Sequence, residues 1–229
     1  MDDHLLKPED FEQPGNLSLD AAKIIMKALC GARLVRFELL WQICSSAREV
    51  SKWTRACDKR LHRLMCYIHH TPDHSLESFV GDNAQDCHIV LFSDADFAGD
   101  LIQAKSTSGL YLAVVGPNTF APTKASCKKQ TCVSHFTPEA EIVAADHAVR
   151  TFGTPALDIW SLVLQNDKLT MQFHEDNATA VQVLKSGYSA AMRHIERTHG
   201  VCLRFLAERF ASPAFNVFYE RSALEAADV

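Results

Sequence analysis

The sequence predicts an α/β fold: a mixed sheet of about five strands with flanking helices, preceded by a helical segment. Three observations predict it. Residues 17–70 carry apolar side chains at helical spacing. Residues 71–86, "TPDHSLESFVGDNAQD", are polar with Pro and Gly and read as a boundary. Beyond them, short apolar runs of strand character alternate with helical patterns. The expected organisation is a helical segment over 1–80 and an α/β domain over 87–229.

The totals are compatible with this. The chain has 229 residues, 47% of them hydrophobic, which allows a substantial core and argues against global disorder. No apolar run reaches the roughly 18 residues a membrane span needs. The opening "MDDHLLKPEDFEQPG" is acidic, lacks a basic and then apolar stretch, and does not read as a secretory signal. None of the eight cysteines forms a C-x-x-C pair, and most sit in apolar runs, so a reducing compartment is expected. The knot His69, His70 and His74 reads as a helix end and loop. A net charge of −5 argues against a uniformly basic nucleic-acid coat but allows a local basic stripe.

In chain order, "SLDAAKIIMKALCGARLVRFELLWQIC" reads as helix, with Ser18 or Asp20 placed to cap it. A second helix runs through "WTRACDKRLHRLMCYIHH", with residues 57, 61, 64, 65 and 68 on one apolar face. Arg55, Lys59 and Arg63 recur every four residues on another face, a solvated stripe or a phosphate contact. After the boundary, "CHIVLFSD" is apolar on both faces, as a central strand is. "GLYLAVVG" and "NTFAPTKASCKKQTCVS" complete an antiparallel three-strand meander. A helix from Pro138 follows, then a strand "LTMQFHE", a helix from Asn177, another over about 190–211, and a last strand "AFNVFYE".

The chemistry lies in carboxylates. "LFSDADFAGD" places Asp94, Asp96 and Asp100 where an apolar strand stops. On the helix opened by "TPEAEIVAADHAVRTF", Thr137 can cap and Pro138 suits the first turn. At 100° per residue, Ile142, Ala145, Val149 and Phe152 share the core sector, while Glu139, Asp146 and Arg150 fall on the wet side. Glu141 lies about 60° from the centre of the apolar face, so its carboxylate is half-buried and needs a hydrogen-bonded neighbour or a metal. Asp176 ends a strand directly before a helix, and on its own reads as an N-cap. "SALE" reads as a capping box of Ser222 and Glu225, with Asp228 one turn on. Because strand C-terminal ends converge on one sheet edge, Asp94, Glu141, Asp176 and Asp228 are expected together. Four such acids would need compensating charge. Two divalent cations about 4 Å apart would supply it and suit in-line displacement at phosphorus. Oxygen-only ligation favours Mg²⁺ or Mn²⁺.

The segments "FSDADFAGD", "KSTSG", "KKQTCVSHFTPEAE", "HEDNATA" and "RTHGV", in that order, resemble the ribonuclease H domain of copia-type retrotransposon Pol polyproteins. The likeness covers about residues 87–229. "ALCGARLVRFELL" and "CDKRLHRLMCYI" look like the tail of the preceding reverse transcriptase, its thumb or connection portion, although no Tyr/Phe-x-Asp-Asp polymerase motif occurs. Phe97 stands where the family has tryptophan, and the chain stops one residue after Asp228, short of the family's longer C-terminal helix. The resemblance implies a ribonuclease H-like fold with Asp94, Glu141, Asp176 and Asp228 as catalytic metal ligands. It implies two Mg²⁺ ions, with Mn²⁺ an alternative. The substrate would be the RNA strand of an RNA–DNA hybrid, recognised by its 2′-hydroxyls across a wide minor groove. The implied partner is the reverse transcriptase part of the same polyprotein, and the implied location a cytoplasmic retroelement particle or the nucleus, with no membrane. Asp96 and Asp100 would be turn or supporting groups. Lys124, Lys128, Lys129 and the Arg55, Lys59, Arg63 stripe would hold phosphates.

Three rival readings stay open. One is a decayed or repurposed retroelement fragment that binds nucleic acid without cleaving it. Another is an integrase or transposase of the same superfamily, but such an enzyme places its glutamate last, and here it comes second. The third is a plain α/β binding domain whose acids are caps and turns.

Overall fold

The computed structural model describes residues 6–100 and 103–227. The chain forms two compact units, Met1–Leu76 and Glu77–Val229. Among the described residues, no helix is long and apolar enough to cross a membrane.

The first unit is helical: α1 (Pro8–Glu12), α2 (Ala21–Val35), α3 (Leu40–Arg48) and α4 (Arg55–His70). Ala21, Ile25, Leu29 and Ala32 of α2 are buried along one stripe, as their spacing predicts. The helix expected to run on to residue 44 breaks at Arg36 and resumes after a 3₁₀ turn at Phe37–Leu39. Arg36 is the physical reason. Its buried guanidinium donates to Thr71 O at 2.9 Å and Thr71 Oγ1 at 2.8 Å, serving the otherwise unsatisfied C-terminus of α4. Neither Ser18 nor Asp20 caps α2 through its side chain. Asp58 instead accepts from the backbone of Asn16 and Leu17 and from Trp53 Nε1. Gly15 passes so close to Thr54 O and Trp53 that a Cβ there would collide. Cys57, Leu61 and Leu64 of α4 face inward.

The second unit is a mixed sheet with helices. Its strands are β1 (Phe79–Val80), β2 (His88–Asp96), β3 (Thr107–Gly116), β4 (Thr119–Lys129), β5 (Met171–Glu175) and β6 (Phe215–Tyr219). They lie in the order β1-β4-β3-β2-β5-β6. The meander β2-β3-β4 is antiparallel, as expected, whereas β5 pairs parallel with both β2 and β6. The sheet has six strands rather than five. The extra one is the two-residue edge β1, paired with Phe120 and Thr119 inside the stretch read as a linker. Both its residues, Phe79 and Val80, are exposed, so it joins through backbone hydrogen bonds, and two apolar residues are too few to show strand alternation.

The helices are α5 (Thr137–Ala148), α6 (Thr154–Leu164), α7 (Ala178–Ser186), α8 (Ile195–His199) and α9 (Leu203–Phe210). A π-helical turn at Val149–Gly153 joins α5 to α6. Gly153 stands there against Leu91 and Met171, where a Cβ would be tight. The single helix expected over 190–211 is two helices, because Gly200 takes φ 71° and ends α8 with a left-handed residue. The main core joins Ile89 and Leu91 of β2, Leu110 and Leu112 of β3, Ile142 of α5, Phe173 of β5, and Leu184 and Leu206 of the later helices. Burying a residue such as Phe173 fully contributes roughly 2–3 kcal/mol.

The wet side expected for α5 is not there. Glu139, Ala140, Glu141, Ala144, Ala145, Asp146 and Ala148 are all buried, while Arg150 in the turn after it is exposed. Alanines on several faces let the helix lie close to its neighbours, Ala140 and Ala144 against Ala95. Asp146 tolerates burial by bonding Arg150 Nε at 2.8 Å. Thr137 is the first residue of α5 rather than its cap, and Phe136 precedes it.

Candidate metal centre

Parallel pairing of β2 with β5 brings their C-terminal ends to one edge of the sheet. Asp94 lies near the end of β2, and Asp176 directly follows β5. Glu141, in the first turns of α5, completes the group: the three carboxylates each offer an oxygen within 4.8 Å of the others. Asp176 is not the helix cap. Asn177 caps α7 instead, its side chain accepting from Thr179 N and Ala180 N at 3.0 Å, which leaves Asp176 to face the cluster.

Two further carboxylates join, and both were missed. Glu175 is fully buried at the end of β5, accepting from Asn177 N at 3.2 Å and Ser93 Oγ at 3.4 Å. The capping box expected of Ser222 and Glu225 does not form: Ser222–Leu224 make only a 3₁₀ turn without a side-chain cap. The Glu225 side chain is buried, accepting from Ala227 N at 3.2 Å. Glu175 continues the inward face of Met171 and Phe173 on β5, and a glutamate at that alternating position is the available signal for it. Asp228 lies outside the described residues.

The electrostatics follow from the crowding. Burial first, and then the charges of Glu175, Asp94 and Asp176, push the Glu141 carboxyl up to about 10. Burial and the charges of Asp94 and Asp176 raise Glu225 to about 8. Burial also raises Glu175 well above the ordinary range. Oε2 of Glu141 and Oε2 of Glu225 are buried without a hydrogen-bond partner among the described residues. Without a cation, protons must do the compensating. Orphaned oxygens, an all-oxygen donor set and several like charges fit hard divalent ions.

Segments flanking the acids act as supports. Ser106 Oγ accepts from Ala98 N in the turn after β2. Gln130 donates to Ser108 Oγ at 3.0 Å and to Ala140 O at 2.9 Å, fastening the first turn of α5 to β3 beside Glu141. Asp96 folds over its own turn, where a Cβ at Gly99 would meet its carboxylate. Asp100 pairs with Lys129 and accepts from Gln103 N. Of the other basic residues, Lys128 is exposed and Lys124 half-buried on β4. In the first unit, Lys59 binds the buried Asp10 at 2.6 Å and Arg55 binds Gln13, so part of that stripe holds α1 in place. Arg63 is exposed on the same helix.

Glu139 lies two residues before Glu141 and is equally buried, contrary to its expected solvent position. It meets three imidazoles. His135 Nδ1 lies 3.2 Å from Oε2; His194 Nε2 and His199 Nε2 lie 2.8 and 3.2 Å from Oε1. His135 N also donates to Oε2 at 2.8 Å. Burial acts against the charge, but these hydrogen bonds hold Glu139 below the usual glutamate range. The histidines come from two distant stretches of chain, so sequence spacing alone did not associate them.

No family model matches the chain, and no curated protein matches it. A solved structure to which it is similar is described as LC11-RNase H1, isolated from compost by a metagenomic approach. The identity is 14%, over 61% of this chain and 88% of that one, with a TM-score of 0.38.

Proposed function

We propose that the second unit is a ribonuclease H-type endonuclease that hydrolyses the RNA strand of RNA–DNA hybrids. The observation that carries the reading is the convergence of Asp94, Glu141 and Asp176 from three separate elements around orphaned carboxylate oxygen. Their arrival in the motif order of copia-type ribonuclease H domains supplies the substrate class. A place within a retrotransposon Pol polyprotein, beside a reverse transcriptase, belongs to the same proposal and rests on that motif order alone.

Asp94, Glu141 and Asp176 would hold divalent cations, with Glu175 and Glu225 beside them; Asp228 is proposed as a further ligand on its motif alone. Mg²⁺ or Mn²⁺ bound there supplies a water of lowered pKa and charge stabilisation for the leaving 3′ oxygen. Asp94, on the rigid central strand, fixes the position of its carboxylate relative to Asp176. Gln130 holds the first turn of α5 so that Glu141 keeps its place. Lys128, exposed on β4, and the half-buried Lys124 are placed to meet hybrid phosphates. Lys129 is occupied with Asp100 and supports the turn after β2.

The test is cleavage of an end-labelled RNA–DNA hybrid by the full chain, with and without Mg²⁺, against single-stranded RNA and duplex DNA. Hybrid-specific, Mg²⁺-dependent cleavage is expected. Hybrid binding without cleavage at any Mg²⁺ or Mn²⁺ concentration would favour the non-catalytic fragment instead.

A further inference from the structure

The cluster around Glu139 lies outside the carboxylate centre and has different chemistry. Its donors are three imidazole nitrogens and one carboxylate, not oxygens alone. His135 and Glu139 are four residues apart at the start of α5, and His194 and His199 bracket α8 with four residues between them. Ring atoms of His135 and His194 and a Glu139 oxygen lie within 4.8 Å of one another. A second observation points to a missing partner. The His199 side chain is only 1% exposed, its Nε2 faces the same carboxylate, and neither ring nitrogen makes a hydrogen bond among the described residues.

We propose that His135, Glu139, His194 and His199 form a structural zinc site that ties α8 to the start of α5. Nitrogen-rich ligation with one carboxylate selects Zn²⁺ over Mg²⁺. Tetrahedral ligands about 2.0–2.1 Å from zinc stand roughly 3.3 Å apart. The nitrogen-to-oxygen separations of 2.8–3.2 Å are already close to this; His135, Glu139 and His194 lie within 4.8 Å of one another, while His199 is outside that group and would draw in on binding. The two stretches are already fastened beside the site, since Cys132 Sγ donates to Thr198 O at 2.9 Å. With His199 as fourth ligand the zinc would have no position left for water, which makes its role structural. The site is independent of the proposed cleavage activity, though it would fix the helix turn that also carries Glu141.

The full chain, stripped with chelator, is titrated with Co²⁺ in excess Mg²⁺, and visible absorption is read. One Co²⁺ per chain with the strong bands of tetrahedral coordination, displaced by Zn²⁺, is expected. His135→Ala and His194→Ala should each weaken binding by about 10–100-fold. The His135 side chain is 66% exposed, so that variant should fold normally, which a melt in the absence of metal verifies. Asp94→Asn should leave Co²⁺ binding unchanged. Weak octahedral bands, no binding, indifference to His135→Ala, or loss in Asp94→Asn would each overturn the proposal.

Discussion

Glu139 and Glu141 lie two residues apart on α5, 0% and 3% exposed, yet their surroundings are opposite. Glu139 is met by three imidazoles and a backbone N–H, and its carboxyl is held below the usual range. Glu141 is met by further acids, keeps an orphaned oxygen, and is pushed up to about 10. Burial alone therefore does not decide what a carboxylate costs. The Glu139 carboxylate is met by hydrogen-bond donors, whereas Glu141 is held in a position that the protein leaves uncompensated. Strain of this kind at an otherwise well-packed sheet edge is a mark of a site built for a ligand.

The sharpest way to break this comparison is Asp94→Asn. Removing one charge from the acid cluster relieves repulsion in the metal-free protein, so its melting temperature should hold or rise slightly. Cleavage of hybrid should fall by about 10³-fold, the scale of losing one preorganised electrostatic group or more, because an amide cannot replace an anionic metal ligand. A cleaving Asp94→Asn protein would end the assignment of Asp94.

Next in size is Glu139→Ala, measured by denaturant unfolding. It removes the partner of His135 and His194 and the carboxylate that the buried His199 faces, and leaves imidazole polarity behind. A loss of about 3 kcal/mol is expected, in the range for breaking a buried pair. Glu141→Ala should cost much less in the metal-free state, because it also removes like-charge repulsion. Equal losses would mean that the two environments differ less than their contacts indicate.

How much of this was legible beforehand follows from where each signal lives. Strand ends, helix periodicity and motif order are local, so the antiparallel meander and the convergence of Asp94, Glu141 and Asp176 could be read from residue order. Glu139 could not be read that way. A helical wheel assumes one wet side, and α5 has none because its alanines admit neighbours all round. Two of the histidines that face Glu139 lie 55 and 60 residues further on, where the helical pattern gives no sign of the break at Gly200. Glu225 escapes the sequence because a capping-box pattern carries no information about burial. β1 is invisible because two exposed residues, Phe79 and Val80, are too short a run to show a strand period.

The same contrast predicts opposite pH dependence on one helix. Glu141 and Glu225 bind their protons more tightly folded than unfolded, with folded values of about 10 and about 8 against an ordinary 4.5. Their contribution is present below that ordinary value and is lost as pH rises through 8 and then 10. The metal-free melting temperature should therefore decline from pH 5 towards pH 10, and the stabilisation by Mg²⁺ should grow over the same window. Glu141→Gln should flatten that decline. Glu139, with its depressed value, contributes above its ordinary pKa and loses that contribution as pH falls below it, so Glu139→Gln should flatten the acid side instead. A Glu141→Gln protein with an unchanged alkaline slope would show that the acid cluster does not store this repulsion.

The smallest expected effect belongs to Asp96→Asn, and its smallness is the point. Asp96 shares its strand with Asp94 and differs from it by only two positions. Its carboxylate folds over Gly99 within the turn, rather than joining Glu141 and Asp176 in the group that surrounds Asp94. An asparagine keeps the size and one acceptor oxygen of the side chain, so the turn should survive within about 0.5 kcal/mol. Hybrid cleavage should stay within a few-fold of the parent, against the roughly 10³-fold loss for Asp94→Asn. Parallel assays of the two variants with titrated Mg²⁺ separate the roles. If Asp96→Asn also raised the Mg²⁺ requirement strongly, Asp96 would have to turn towards the cluster when metal binds, and the division between ligand and turn residue along β2 would have to be redrawn.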